Sequence, residues 1–180
     1  WNYAPAVAAA FTGGKASDIF TREADSWSKV PEGASILRYV FNHDVAAEND
    51  YARYYGSADA QPAAYVAAAM LHGTPMIYSS MDADVNGGKL SFFDYKPLAF
   101  SAEKAAVYKA INKAYKASAE LRRAELRTYP DKDVLNFTRT AGDHTLLVMV
   151  NTTADARTVK TPIALTGLRM TDMINGGETA

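Results

Sequence analysis

Three consecutive polar residues, Asn42, His43 and Asp44, are the part of the sequence best suited to chemistry. A carboxylate can stabilise developing positive charge, an imidazole can donate or accept a proton, and an amide can donate and accept hydrogen bonds. All three side chains can therefore contact a ligand. The alternative interpretation is that these residues only turn the chain or cap a following helix, because polar residues after a strand are common.

The residues that precede this segment predict a buried strand. Residues 36–41 are mostly apolar and β-prone, and Arg38 is the only charge among them. Both faces of the strand are therefore expected to be buried, as in a parallel sheet. The polar segment would then lie at the carboxyl end of the strand, where β/α folds bind their ligands.

The remaining pattern predicts an α/β region at 1–127 followed by an antiparallel β domain at 128–180. A second buried strand is expected at 75–78, separated from the first by one helical crossover. We expect helices at 1–11, 18–30, 61–71 and 101–126, with Ser17 and Ser101 as N-caps. After residue 127 the periodicity becomes β-type, and we expect strands at 134–140, 144–151, 159–165 and 168–174.

A polar and aromatic stretch, residues 46–59, follows the proposed site and contains Tyr54 and Tyr55. Long loops after barrel strands usually shape a binding site. Aromatic rings with nearby carboxylates and amides suit sugars, which offer apolar ring faces and rims of hydroxyl groups. The alternative is a surface loop in which the tyrosines pack locally.

Composition narrows the functional classes. The 180 residues are 48 % hydrophobic with a formal net charge of −1, so the charge footprint of a nucleic-acid-binding protein is missing. The absence of cysteine excludes disulfides and thiolate metal sites, and no apolar run reaches the roughly 20 residues of a membrane span. The chain begins at Trp1 without a signal sequence, so we expect it to be a piece of a longer protein. The missing signal sequence therefore leaves the compartment of that protein open.

One segment partly fits a calcium loop. Residues 82–87 satisfy the first half of the pattern, but its twelfth position, which needs a bidentate carboxylate, is Phe93. We therefore interpret the segment as an acidic turn. His72, at the end of a predicted helix, is interpreted as structural.

Several motifs resemble the α-amylase-type glycoside hydrolases (family 13). Residues 39–44 resemble the aromatic-Val-x-Asn-His-Asp motif on the seventh barrel strand of that family. Residues 72–78 are similar to its Gly-x-Pro-apolar-apolar-Tyr segment before the eighth strand, although residues 79–82 replace the usual Tyr-Gly-Gln-Glu. Residues 91–94 resemble the aromatic-rich loop that follows, and residues 172–176 resemble an Asp-apolar-apolar-x-Gly turn of the next domain.

The resemblance implies the C-terminal portion of a (β/α)8 TIM barrel, followed by an antiparallel β-sandwich domain. It implies a retaining hydrolase of α-glucosidic bonds in starch-like glucans, in which Asp44 stabilises the transition state and His43 binds substrate. Asn42, Tyr54 and Tyr55 are further substrate-binding candidates, with Asn42 expected rather to support the loop. Retaining chemistry needs a nucleophile and an acid/base about 5 Å apart. In the family both lie on earlier strands, so the chain alone is expected to be inactive.

The implied partners are an α-glucan oligosaccharide or polysaccharide and the preceding part of the same protein, without which the chain is expected to self-associate. Neither a nucleic acid nor a membrane span is expected. We expect no cofactor or metal within this chain, although the parent protein could bind calcium elsewhere, and secretion or a periplasmic location would suit it. The alternative function is a non-catalytic homologue that binds carbohydrate or a protein partner on the same scaffold.

Overall fold

The computed structural model describes residues 2–85, 87–93, 97–160 and 168–179. These residues form five α-helices, nine short strands and two 3₁₀ turns (Ala58–Ala60 and Leu121–Arg123). The helices are α1 (Tyr3–Phe11), α2 (Asp18–Trp27), α3 (His43–Glu48), α4 (Gln61–Met70) and α5 (Ala102–Ala117). The strands are β1 (Leu37–Arg38), β2 (Thr74–Pro75), β3 (Ala83–Asp84), β4 (Ala99–Phe100), β5 (Leu126–Thr128), β6 (Val134–Ala141), β7 (His144–Asn151), β8 (Met170–Thr171) and β9 (Glu178–Thr179).

The predicted parallel pairing of the first two strands is confirmed, but over only two residues of each. The Thr74 amide donates to the Ile36 carbonyl at 2.9 Å, and the Met76 amide donates to the Arg38 carbonyl at 2.8 Å. The next rung would join the Tyr78 amide to the Val40 carbonyl. Instead, the Val40 carbonyl accepts from the Tyr55 hydroxyl at 2.6 Å, and the Tyr78 amide points to the sulfur of Met81. The ladder therefore ends before the predicted strands do.

Glycine is required where the chain enters β2. Gly73 has a φ of +113°, and a Cβ added there would lie 2.5 Å from the Ile36 carbonyl oxygen and 2.8 Å from the Cγ of Arg38. Only a residue without a side chain allows the chain before β2 to approach β1 this closely. This close approach brings His72 and Arg38 together.

The expectation of a TIM-barrel portion followed by a β-sandwich is wrong. The described residues contain one parallel pair, two antiparallel pairs and one three-stranded antiparallel sheet, with no barrel among them. The pairing of β1 and β2 is cut short by the competing hydrogen bonds of Val40 and Tyr78. Among the described residues, the three-stranded sheet packs on helices, since α4 contacts β7 and the rings of Phe20 and Phe137 meet edge to face at 6.2 Å.

The β6–β7 hairpin was predicted almost residue for residue. Its eight pairs run from Val134 opposite Asn151 to Ala141 opposite His144, and Gly142 turns the chain with a φ of +57°. Strand β5 pairs with β6 and spans residues 127 and 128, between which the sequence predicts a domain boundary. The division into two domains stays a prediction.

The last part of the chain agrees less well with expectation. Residues 161–165 of the predicted strand at 159–165 lie outside the described residues. The strand predicted at 168–174 is reduced to β8, which pairs with β9 around a turn. The Asp172 carboxylate accepts the Ile174 and Asn175 amides at 2.9 Å each, and these hydrogen bonds lower its pKa.

The predicted helices are present with shorter ends. The Ser101 hydroxyl caps α5 by accepting from the Lys104 amide at 3.3 Å, whereas Ser17 makes no side-chain cap to α2. The α5 helix ends at Ala117 rather than at residue 126. No helix in the described ranges has the length and apolar character of a membrane span.

The small residues of α4 let neighbouring helices approach closely. Ala64, Ala67 and Ala68 are buried, and the Tyr3 hydroxyl of α1 donates to the Ala67 carbonyl at 3.0 Å.

At the β1–β2 pair, by contrast, Leu37 and Ile77 remain 57 % and 40 % exposed. We predict that the preceding part of the protein or a second copy of this chain covers this apolar edge. Sedimentation can check this prediction.

Candidate functional site

Asn42 is used by the fold rather than presented to solvent. It has an extended backbone, and its side-chain Oδ1 accepts a 2.8 Å hydrogen bond from the Val45 amide, which caps helix α3. Only 7 % of the residue is exposed. Asn42 therefore has the helix-capping role that the alternative interpretation gave it. The cap also fixes the start of helix α3, which carries His43 and Asp44.

His43 and Asp44 form the first turn of α3 and face solvent together. Their side chains are 65 % and 30 % exposed, and Nε2 of His43 lies 3.5 Å from Oδ1 of Asp44. This distance is longer than a charge-assisted hydrogen bond. Both groups therefore keep hydrogen-bonding capacity for a ligand.

The base of this pair is rigid. Val40 and Phe41, immediately before the polar segment, are fully buried. The Phe41 ring stacks on the Tyr51 ring at 4.3 Å, and the Tyr55 hydroxyl holds the Val40 carbonyl. Exposed polar side chains on a buried, hydrogen-bonded backbone are typical of a preorganised site.

The two tyrosine candidates differ in their placement. Tyr55 is 1 % exposed and packs edge to face against Phe41 at 5.3 Å, so it supports the site from within the core. Tyr54 is only partly buried, and its ring lies 5.8 Å from Phe41. Burial, and then the neighbouring Tyr39, raise the pKa of Tyr54. Of the two, Tyr54 retains a surface that could contact a ligand.

Tyr39 belongs to the electrostatic surroundings of Asp44, a role that our sequence analysis missed. Burial raises the pKa of Tyr39, and the negative charge of Asp44 raises it further. A nearby anion has this effect because it disfavours the negatively charged tyrosinate. The sequence signal for this role was the position of Tyr39 at the start of the motif at residues 39–44.

Phe92 is the second residue missed by the sequence analysis. Its ring centre lies 5.5 Å from that of His43, with the planes tilted by 59°. Two backbone hydrogen bonds hold this loop against α3 and the segment after it. The Leu90 amide donates to the Ala46 carbonyl of α3 at 2.8 Å, and the Tyr51 amide donates to the Gly88 carbonyl at 2.9 Å. The aromatic pair in residues 91–94 was visible in the sequence, but its position beside His43 depends on this long-range pairing.

The acidic turn at residues 82–87 carries a lysine rather than a set of metal ligands. Nζ of Lys104 lies 2.8 Å from Oδ1 of Asp84 and 3.1 Å from the Ala83 carbonyl oxygen. Among the described residues no group of three or more histidine and acidic side chains could hold a metal ion. An ammonium group therefore supplies the positive charge in this turn.

A second carboxylate–imidazole pair lies in the protein interior. Nδ1 of His72 lies 2.9 Å from Oε1 of Glu23, which also accepts the His72 amide at 3.0 Å. The other oxygen of Glu23 accepts from Arg38 at 2.7 Å, and both of these charged side chains are 2 % exposed.

This interior pair borders the larger of two clefts. The cleft has about 490 Å³ of space beside Trp27, whose ring stacks on His72 at 4.5 Å. A smaller cleft of about 340 Å³ lies between the end of α1 and the loops around Asp133 and Thr152. Neither of these two clefts is lined by His43 or Asp44, whose side chains are 65 % and 30 % exposed.

Comparisons with family models, curated proteins and solved structures found no match. The resemblance to amylase-type enzymes therefore rests on the order and spacing of short motifs.

Proposed function

We propose that this chain is part of a retaining glycoside hydrolase that acts on α-glucosidic bonds of starch-like glucans. The observation that carries the proposal is the exposed His43–Asp44 pair, 3.5 Å apart, on a rigid backbone and beside the ring of Phe92. A carboxylate and an imidazole can bind neighbouring sugar hydroxyls, while an aromatic ring offers an apolar surface to the sugar. The described residues of this combination, His43, Asp44 and Phe92, include no lysine or arginine, so the combination suits a carbohydrate better than a phosphate group.

In this proposal Asp44 acts on the sugar at which the bond breaks. Its carboxylate accepts hydrogen bonds from ring hydroxyls, and its negative charge favours the oxocarbenium-like transition state. His43 donates to an adjacent hydroxyl and fixes the ring. The nucleophile and the acid/base are supplied by the part of the protein that precedes this chain, so the chain by itself does not hydrolyse.

The replacement Asp44→Asn in the full-length protein tests this role. The amide keeps the shape of the side chain and removes its charge, so kcat should fall by roughly 10²-fold or more while KM changes little. Asp143→Asn, at the exposed β6–β7 turn, is the matched control and should leave both constants unchanged. Comparable kcat values in Asp44→Asn and the unaltered enzyme would contradict the role.

Carbohydrate binding without hydrolysis is the second candidate function. The same exposed pair beside Phe92 supports it, since binding requires no nucleophile. Under this alternative, Asp44→Asn weakens sugar binding in a full-length protein that releases no product. A retained nucleophile and acid/base, detected as glucan hydrolysis, would contradict it.

A further inference from the structure

A buried guanidinium group without a counter-charge lies on the sheet face that borders the larger cleft. Arg139 is 1 % exposed, and the only described hydrogen bond of its side chain runs from Nη1 to the Ala124 carbonyl at 2.7 Å. Its Nε and Nη2 atoms are buried and have no hydrogen-bond partner among the described residues. A buried charge is costly unless it is paired, so these two N–H groups favour an anion beside them.

The buried charges around Arg139 do not balance. Three charged residues are buried in the described part of the chain, and of these Glu23 is negative, whereas Arg38 and Arg139 are positive. The Glu23 carboxylate already pairs with Arg38 at 2.7 Å and with His72 at 2.9 Å, so both of its oxygens are used. Burial lowers the pKa of Arg139 to about 10, which leaves the group positive at neutral pH.

The register of the three-stranded sheet places Arg139 next to the cleft. Leu126 of β5 lies opposite Arg139 of β6, and Thr128 of β5 lies two residues further along the same edge, opposite the next inward residue of β6. Residues directly opposite each other project from the same face of a sheet, and both Leu126 and Thr128 line the cleft. Arg139 therefore projects from the face that borders the cleft, one strand away from its lining.

The cleft itself has the size and lining of a small-molecule site. Its volume of about 490 Å³ lies in the usual range for such sites, and Phe20, Trp27 and Leu126 supply large apolar side chains to its wall. The Trp27 ring stacks on His72 at 4.5 Å with the planes only 9° apart, which fixes its orientation. A flat apolar group can pack against these rings.

We infer that this cleft binds a small aromatic carboxylic acid whose carboxylate pairs with Arg139. The unpartnered Nε and Nη2 atoms form one edge of the guanidinium, and this edge presents two parallel N–H donors that match the two oxygens of a carboxylate. The aromatic part of the ligand packs against Trp27 and Phe20. A rotamer change of Leu126 opens the guanidinium to the cleft. The inference is independent of the proposed function, because neither residue of the surface pair takes part.

The experiment titrates phenylacetate into the full-length protein while the imidazole signals of His72 and His43 are followed by NMR. Because His72 lines the cleft and His43 does not, the His72 signals should shift to saturation and those of His43 should not move. Phenylacetamide has nearly the same shape without the charge, so it should bind at least about tenfold more weakly.

Two substitutions assign the charge to one residue. Arg139→Met removes the guanidinium and keeps most of the length of the side chain, so the affinity for phenylacetate should fall to that for phenylacetamide. The variant should fold, because an apolar chain replaces an unpaired buried charge. Arg22→Met, on the exposed side of α2, is the matched control and should leave the affinity unchanged.

Several results would overturn the inference. Equal affinities for phenylacetate and phenylacetamide in the unaltered protein would refute recognition of the carboxylate, and this comparison needs no variant. Equal losses in Arg139→Met and Arg22→Met would show that net charge, not the buried group, is responsible. Acetate that binds as tightly as phenylacetate would refute the aromatic part of the site, and no response of His72 to phenylacetate would refute the site as a whole. None of these results bears on sugar binding by the surface pair.

Discussion

The described residues contain two carboxylate–imidazole pairs that differ in burial and in hydrogen bonding. Glu23 and His72 lie 2.9 Å apart beside the buried Arg38, and each oxygen of Glu23 has a hydrogen-bond donor. His43 and Asp44 lie 3.5 Å apart in solvent. The interior pair has its hydrogen-bonding capacity used by the fold, whereas the surface pair keeps it for a ligand. Residue type alone therefore does not identify a binding site. What identifies it is the hydrogen-bonding capacity that the fold leaves unused.

The buried pair serves to hold elements together. Glu23 comes from α2, Arg38 from β1 and His72 from the chain after α4, so one carboxylate joins three segments distant in sequence. Ser26 accepts a further hydrogen bond from Arg38 at 2.8 Å. Burying charges is costly unless they are paired and hydrogen-bonded, and here both conditions are met.

The largest expected effect comes from breaking the interior pair. Glu23→Gln leaves the guanidinium of Arg38 buried without a counter-charge, which should lower the free energy of unfolding by about 3–5 kcal/mol. Urea denaturation followed by circular dichroism measures it.

Asp25→Asn on the same helix is the control for that substitution. Asp25 forms an exposed ion pair with Lys29 at 2.8 Å, and exposed pairs contribute little to stability. If Glu23→Gln is no more destabilising than Asp25→Asn, the interior pair does not hold the fold together.

A smaller loss of stability is expected under the surface pair. Tyr55→Phe removes the only described donor to the buried Val40 carbonyl and should lower the free energy of unfolding by about 1–3 kcal/mol. The neighbouring Tyr54→Phe serves as control, since no hydrogen bond of its hydroxyl is described, and it should have a smaller effect. Equal effects in the same denaturation experiment would show that the Tyr55 hydroxyl is not what supports the site.

The smallest effect concerns the electrostatics of the surface pair. The negative charge of Asp44 disfavours the tyrosinate of Tyr39 and so raises its pKa, and Asp44→Asn should therefore lower that pKa. Tyr65, whose pKa burial raises to about 12, should be unaffected because no effect of Asp44 on it is described. NMR titration of the tyrosine rings resolves the two. An unchanged pKa of Tyr39 would mean that the carboxylate does not face this ring.

Local patterns predicted several elements well. The β6–β7 hairpin follows from alternating residues around Gly142, whose positive φ suits the turn. The helix cap at Ser101 was also visible in a local signal. The parallel alignment of β1 with β2 was predicted from the helical crossover between them. Where neighbours in the sequence determine the structure, the sequence is sufficient.

Competition between distant partners could not be predicted. The sequence favours a six-residue strand before Asn42, yet the ladder stops because the Tyr55 hydroxyl takes the Val40 carbonyl. Tyr55 was expected at the binding surface and lies in the core for the same reason. Helix α3 was expected only under the alternative interpretation, in which Asn42 caps a following helix, because the polar and aromatic pattern of residues 46–59 favoured a loop.

The site was predicted in part. The positions of His43 and Asp44 after a buried segment follow from the sequence, but Phe92 reaches them only through hydrogen bonds between residues 46–51 and 88–90. A single sequence carries no signal for such pairing of two irregular segments. The barrel implied by the family resemblance was wrong for the same reason, since sheet closure depends on long-range pairs that local motifs do not specify.

The three histidines allow one direct test of the difference between the two pairs. Maltoheptaose is titrated into the full-length protein while the imidazole signals of His43, His72 and His144 are followed by NMR. The surface pair is proposed to bind the sugar and the interior pair is used by the fold, so the His43 signals should shift to saturation. His72 and the hairpin residue His144 should not respond. A response of His72 equal to that of His43, or no response of His43 at all, would contradict the account.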